Sequence, residues 1–262
     1  MKRWKTSNPT FRAVTLLFAY LVTVAAPSPA EKAPKKATAT PKNPSSAFKP
    51  LTSSSLLGDK TLAFAKGEAG RLSVVMIGPP ENRGQSRMVV VRNNTSKPLY
   101  RVEVTGVARA GTKLVGTGGS HGFKPLVVLP GEIAVGYVYW QAPLVSSELK
   151  IELTTTSVAA KSQAQGLGGM MSIALIEAAV RDDPTSSRQI IGILKNTNAS
   201  KVEGPISVVF ACFNLDGAPL QTVSTFANED GLEPGALGTF AAQLFDDATC
   251  PRFLGGASGF SQ

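Results

Sequence analysis

One histidine, His121, serves all 262 residues, and there are only two cysteines, two tryptophans and four tyrosines. A lone histidine rules out metal centres built on several imidazoles, and it leaves His121 as the only imidazole base for a nucleophilic triad. Two cysteines make a zinc site only if other soft ligands join them, and the chain offers little else. Aromatic residues are 7% of the chain. That is too few, and the basic residues are too scattered, for the charged, ring-lined groove of a nucleic-acid binder. Beyond the first thirty residues no apolar run approaches the ~18 residues of a membrane-spanning helix.

What is present begins with MKRWKTSNPTFRAVTLLFAYLVTVAAPSPA. Lys2, Arg3, Lys5 and Arg12 form a basic front, and Ala13 to Ala26 carries no charge. About 14 residues span roughly 21 Å as a helix, short of the ~30 Å bilayer core, which suits a secretory signal core. Cleavage after Ala30, with Ser28 three positions before the cut, fits the small-x-small rule; retention as an N-terminal anchor is the alternative. No cysteine near the cut supports a lipid anchor. Residues 31–57 are rich in Pro, Lys, Ala, Thr and Ser. Such a composition buries too little surface to offset its ordering entropy, so a disordered, semi-stiff basic tether is expected.

Charge is divided along the remainder. Residues 56–155 hold twelve basic and seven acidic side chains, whereas 166–262 hold five and ten. Opposite signs on the two halves favour packing between them or head-to-tail association, unless the unevenness is chance.

The halves are also alike. Arg92-Asn93 matches Lys195-Asn196, Ala110-Gly111 matches Asp216-Gly217, and Pro130-Gly131-Glu132 matches Pro234-Gly235-Ala236. RLSVVMI from Arg71 aligns with MMSIALI from Met170, and EIAVGYVYW from Glu132 with ALGTFAAQL from Ala236. The offset stays near 100 residues, a domain length rather than a solenoid period. Short runs rich in Val, Ile and Phe, bounded by Gly, Pro, Asn and Asp, read as strands. Ile206, Val208, Phe210 and Cys212 share one face at period two, as do Tyr100, Val102, Val104 and Ala108. MMSIALIEAAV fits a short helix by propensity, but its alignment with RLSVVMI assigns it to a strand. The fold class expected is all-β: two tandem immunoglobulin-like β-sandwich domains, 58–158 and 159–262, after a signal peptide at 1–30 and a disordered linker at 31–57.

A turn asparagine after an apolar strand, a strand running into FNLDG, then a Pro-Gly turn and another apolar strand resemble the FxLYD-type domain. Phe213, Leu215 and Asp216 stand close to the naming motif, whose Tyr is missing, and the first copy reads VARAG there. The resemblance covers about residues 66–260. It implies seven-stranded immunoglobulin-like sandwiches in an exported bacterial protein, with no active-site residues to carry over.

In an exported protein the even pair Cys212 and Cys250 reads as a disulfide; two buried free thiols are the alternative. Gly118-Gly119-Ser120-His121-Gly122 matches a nucleophile elbow. A strand-like FKPLVVLPG follows where a helix is needed, and the only His adjoins the Ser, so a loop is expected instead. The acidic pairs Asp182-Asp183, Glu229-Asp230 and Asp246-Asp247 lack calcium-loop spacing and read as solvated turns. Asn93, Asn94 and Asn198 open N-x-S/T sequons, with turn roles better supported. On the long strands, Arg101, Glu103 and Thr105 make a wet outer face, but Val209, Ala211 and Phe213 make an apolar one. That candidate interface docks on the first domain, on a second copy or on an envelope partner, unless a strand or loop of its own domain covers it.

These features point to a non-enzymatic, cofactor-free protein, secreted or held in the periplasm or cell envelope. Its expected partners are an envelope protein or a cell-wall polymer, with self-association open, and neither nucleic acid nor a transmembrane span after signal cleavage. The competing class is an accessory subunit, chaperone-like or inhibitory, of an exported enzyme or secretion machine.

Overall fold

The computed structural model describes residues 48–50, 56–144, 148–159, 169–182, 188–245 and 249–261. The leader at 1–30, most of the linker at 31–57, and Asp183, Asp246 and Asp247 lie outside them. Among the described residues no helix is long and apolar enough to cross a membrane, and the architecture is all-β, two curled antiparallel sheets that each form a sandwich.

A strap comes first: β1 (Phe48–Pro50), β2 (Leu57–Gly58) and β3 (Ala63–Ala65), with β1 paired to β3. The first sandwich holds β4 (Leu72–Glu81), β5 (Ser86–Asn93), β6 (Leu99–Ala110), β7 (Lys113–Lys124), β8 (Val127–Val128), β9 (Ile133–Trp140) and β10 (Lys150–Ala159). The second holds β11 (Met170–Arg181), β12 (Gln189–Lys195), β13 (Val202–Phe213), β14 (Pro219–Phe226), β15 (Gly231–Leu232), β16 (Leu237–Gln243) and β17 (Arg252–Ser261). MMSIALIEAAV is thus strand β11, as its alignment requires.

The second sandwich repeats the first strand for strand. β4 pairs β5, β5 pairs β9, and β6 pairs β7, β8 and β10. Correspondingly β11 pairs β12, β12 pairs β16, and β13 pairs β14, β15 and β17. The copies differ in where the curl stays open. β7 pairs β9 in the first, leaving β4 and β10 as edges, whereas β11 pairs β17 in the second, leaving β14 and β16. A threonine fastens each gap. Thr155 Oγ1 donates to the Leu72 carbonyl at 2.8 Å, and Thr225 Oγ1 to the Ala241 carbonyl at 3.0 Å. Pro79 and Pro80, which cannot donate to a ladder, fall on the edge strand β4.

One buried asparagine pins each copy. Asn93 Nδ2 donates to the carbonyls of Lys97 and Val128, both at 2.8 Å, and its Oδ1 accepts from Thr95 N at 2.9 Å. Asn196 Nδ2 donates to Ser200 and Leu232 at 2.9 and 2.8 Å, and its Oδ1 accepts from Asn198 N at 2.9 Å. Both side chains are wholly buried. Beside each, a Pro-Gly turn closes through Glu132 N to Leu129 O and Ala236 N to Glu233 O, both 3.0 Å. Gly131 and Gly235 have φ of 81° and 79°, as the third position of a type II turn demands.

Each sandwich has its own core. Trp140, Val89, Val91, Val104 and Phe123 fill the first. Gly106 is needed there, because a Cβ would lie 2.3 Å from the Trp140 ring. Phe210, Phe240, Ile190 and Leu194 fill the second, with Phe210 5.5 Å from both Phe240 and Phe253. Cys212 and Cys250, 38 residues apart, form a disulfide at the edge of that core. Closing a loop of that length stabilises the fold by roughly 4 kcal/mol through the unfolded chain.

Candidate binding faces

The apolar outer face of β13 is covered within the chain. Val209 is 2% exposed, and Ala211 and Phe213 are wholly buried. Ala211 and Phe213, with Leu254 of β17, meet Met88 and Val90 of β5, Ile133 and Val135 of β9, and Leu56, Leu62 and Phe64 of the strap. Val209 lies over Gly122, where a Cβ would sit 3.5 Å from its Cγ2. The result is a third core between the two sandwiches. The complementary face on the first sandwich escaped the sequence reading, although it left a signal. Val89, Val90 and Val91 are an unbroken apolar run, and all are buried; a strand without alternation is one covered on both sides.

The strap escaped as well. β2 pairs with Leu254 and Gly255 of β17 and β1 with β3, so paired strands already occur inside the segment that composition assigns to the linker. Arg252 clamps it: Nε donates to Asp59 Oδ2 at 2.6 Å, Nη2 to Thr61 Oγ1 at 2.8 Å and Nη1 to the Leu215 carbonyl at 2.9 Å. Hydrogen bonds from Thr61 and Arg252 hold the Asp59 carboxyl down to about 2.

Two polar groups complete the contact. Glu81 Oε2 accepts from Thr222 N at 2.9 Å and its Oε1 from Met88 N at 3.0 Å. Burial raises its pKa, against the pull of those donors. The carboxylate thereby occupies an amide on the open edge of β14, which would otherwise be free to pair with another chain. Lys124, 1% exposed, donates from Nζ to Ser258 Oγ, and burial pushes its ammonium down to about 8.

The wet face of the first sandwich is open. Arg101, Glu103 and Thr105 are exposed. The registers Thr105–Gly119–Tyr139 and His121–Tyr137 carry the same face across β7 and β9, and Thr154 and Thr156 of β10 extend it beyond Thr105 and Glu103. His121 stacks on Tyr137, ring centroids 5.8 Å apart and 15° from parallel, and meets Tyr139 edge-on at 6.1 Å. Nothing lies within 4 Å of a Cβ built at Gly119. Rings flanked by hydroxyls and charges can lie on the C–H face of a ring-shaped ligand while their neighbours take up its hydroxyls. The Gly118–Gly122 segment lies within strand β7 rather than in the loop expected, with Gly119 and His121 on this face. Ser120 Oγ is engaged there as acceptor for Val104 N at 2.8 Å.

Among the described residues no group of three or more His, Cys, Asp or Glu side chains is placed to hold a metal ion. Glu229, one of the acidic-pair residues, instead accepts from Thr239 N at 2.8 Å, and Asp182 pairs with Arg188. Of the sequons, Asn93 is buried as a pin, and Asn198 Nδ2 donates to the Ser172 carbonyl at 2.9 Å. No family model matches the chain, and no curated protein matches its sequence.

Proposed function

We propose that the protein is an exported, non-catalytic module that binds a polymer of the cell envelope and serves there as a rigid, tethered spacer. The observation that carries this reading is the wet face of the first sandwich. It sets His121, Tyr137 and Tyr139 beside Thr105, Glu103, Arg101 and Thr154 on one open outer face of the sheet. A glycan strand presents alternating C–H faces and hydroxyls, the chemistry such a strip can hold. The basic leader and Lys-rich linker support export and approach to an anionic surface. The disulfide supports an oxidising compartment. The FxLYD-type resemblance agrees with both, its FNLDG segment forming the end of β13 and the following turn.

The test is retention of the purified protein on isolated cell-wall glycan, combined with fractionation and N-terminal sequencing of the native form. Wild type is expected to be retained, and Tyr139→Ala with His121→Ala to lose at least tenfold in affinity. Equal retention of the folded variant, or a mature form found in the cytoplasm, would reject the proposal. The accessory-subunit reading has its own support in the exposed Ile176 and Leu237 of the second sandwich; a stoichiometric envelope protein recovered with the chain would favour it.

A further inference from the structure

We infer that the glycan site continues onto the second sandwich, with Phe226 as a further binding residue and the ligand held in a wedge between the two sandwiches. The inference rests on the glycan reading above and deepens it. The third core fixes where the wedge opens. Tyr137 stands in register between Met88 of β5 and His121 of β7. Met88 belongs to the third core, so the ring strip starts at that core's margin.

Strand β14 of the second sandwich passes over the same margin, fixed at two points. Thr222 N donates to Glu81 at 2.9 Å, and Glu81 pairs with Ser86 at the β4–β5 edge. Val209, which pairs with Ser224, lies over Gly122 of β7. The row Thr222, Ser224, Phe226 therefore leads from β4 and β5 towards β7, and β9 lies between β5 and β7. On the far side of β13, Gly256 and Ser258 of β17 meet Lys124. That places β17 beyond Gly122 on the Lys124 side, and β14 on the side of His121 and Tyr137. Phe226 pairs with Ser207, which sets it about 7–8 Å from Val209 as a diagonal neighbour. Exposure shows that the faces part there. Val209 and Lys124 are sealed, whereas Phe226 is 61% and Tyr139 38% exposed, and Ser224 is open to solvent.

The walls suit a sugar ring better than other ligands. A pyranose has an apolar C–H face on each side and hydroxyls around its rim. One sheet can take only one of those faces. With His121 and Tyr137 on one wall and Phe226 on the other, both are covered, and the Ser224 hydroxyl is left for the rim. An extended peptide would pair with the open edge of β14, but its Thr222 amide is already taken by Glu81. An acyl chain would need a wholly apolar lining, and Ser224 and Glu103 interrupt this one.

Titration calorimetry of the full exported protein with soluble glycan fragments released from isolated cell wall tests the inference. Phe226→Ala is expected to weaken binding at least about fivefold with an unchanged thermal transition, and Phe226→Tyr to keep it. Phe260→Ala, on the same outer face but on β17 beyond Ser258, should bind as wild type does. Should Phe226→Ala fail to fold, Ser224→Trp, which fills the wedge, should block binding instead. If Tyr139→Ala with His121→Ala loses binding while folded Phe226→Ala keeps it, the inference is overturned and the glycan reading stands. Equal losses from Phe226→Ala and Phe260→Ala would mean general apolar adhesion and also overturn it. A wild type that takes up no glycan rejects the reading itself, and this inference with it.

Discussion

The Phe64 ring meets the Phe213 ring edge-on, centroids 5.8 Å apart and 72° from parallel. The first belongs to the strap ahead of the first sandwich, the second to the end of β13 in the second sandwich. Their contact lies in the third core, which packs the strap and both sandwiches together.

Phe213→Ala should therefore cost about 3–5 kcal/mol and change the form of unfolding as well. Calorimetry of wild type should show a single transition, and the variant should show two, because the sandwiches retain separate inner cores. Two resolved transitions in wild type would mean that the third core does not couple them.

Asn93→Ala and Asn196→Ala should destabilise equally, by about 2–4 kcal/mol each. Either change leaves one buried carbonyl, that of Val128 or Leu232, without its donor and takes a partner from one part-buried carbonyl and one amide. Asn→Asp should be no milder, since a carboxylate would replace the donor facing those carbonyls. Denaturant titration reads both, and a loss under 1 kcal/mol at either site would contradict the pin.

Lys124→Met should stabilise the protein at pH 7 by on the order of 3 kcal/mol. The buried ammonium has its pKa lowered to about 8 from 10.5, so the unfolded chain binds more protons between those values. Stability from this group accordingly rises as pH climbs from about 8 towards 10.5, and below 8 its full cost is present. Thermal melts of wild type minus variant across that range isolate the effect. A flat difference, or a less stable variant at pH 7, would refute it.

Much of this body can be read from the residues before any coordinates. Paired turn signals at Asn93 and Asn196, and at Gly131 and Gly235, disclose the duplication because left-handed turns and buried pins tolerate few residue types. Alternation separates the inner row Val102, Val104 from the wet row Arg101, Glu103, and it marks Val209 to Phe213 as covered on both sides. Period-two patterning cannot say what provides the cover. For β13 it comes from β5 and β9, more than 70 residues earlier, and from a strap that composition averages into the linker. Leu56, Leu62 and Phe64 are three large side chains beside a polar, Pro-rich stretch, and only the β2–β17 pairing shows them to be structural. The His121–Tyr137–Tyr139 strip was equally hidden, since it depends on the register between two strands.

The β2–β17 pairing ties the strap ahead of the first sandwich to the last strand of the body, Leu57 to Gly255 and Gly58 to Leu254. A chain threaded through a membrane from its amino end cannot fasten this clasp until nearly its whole length has crossed. On the export proposed above, completion would be postponed to the far side, and removing β17 would unlatch β2 as well as the end of the chain.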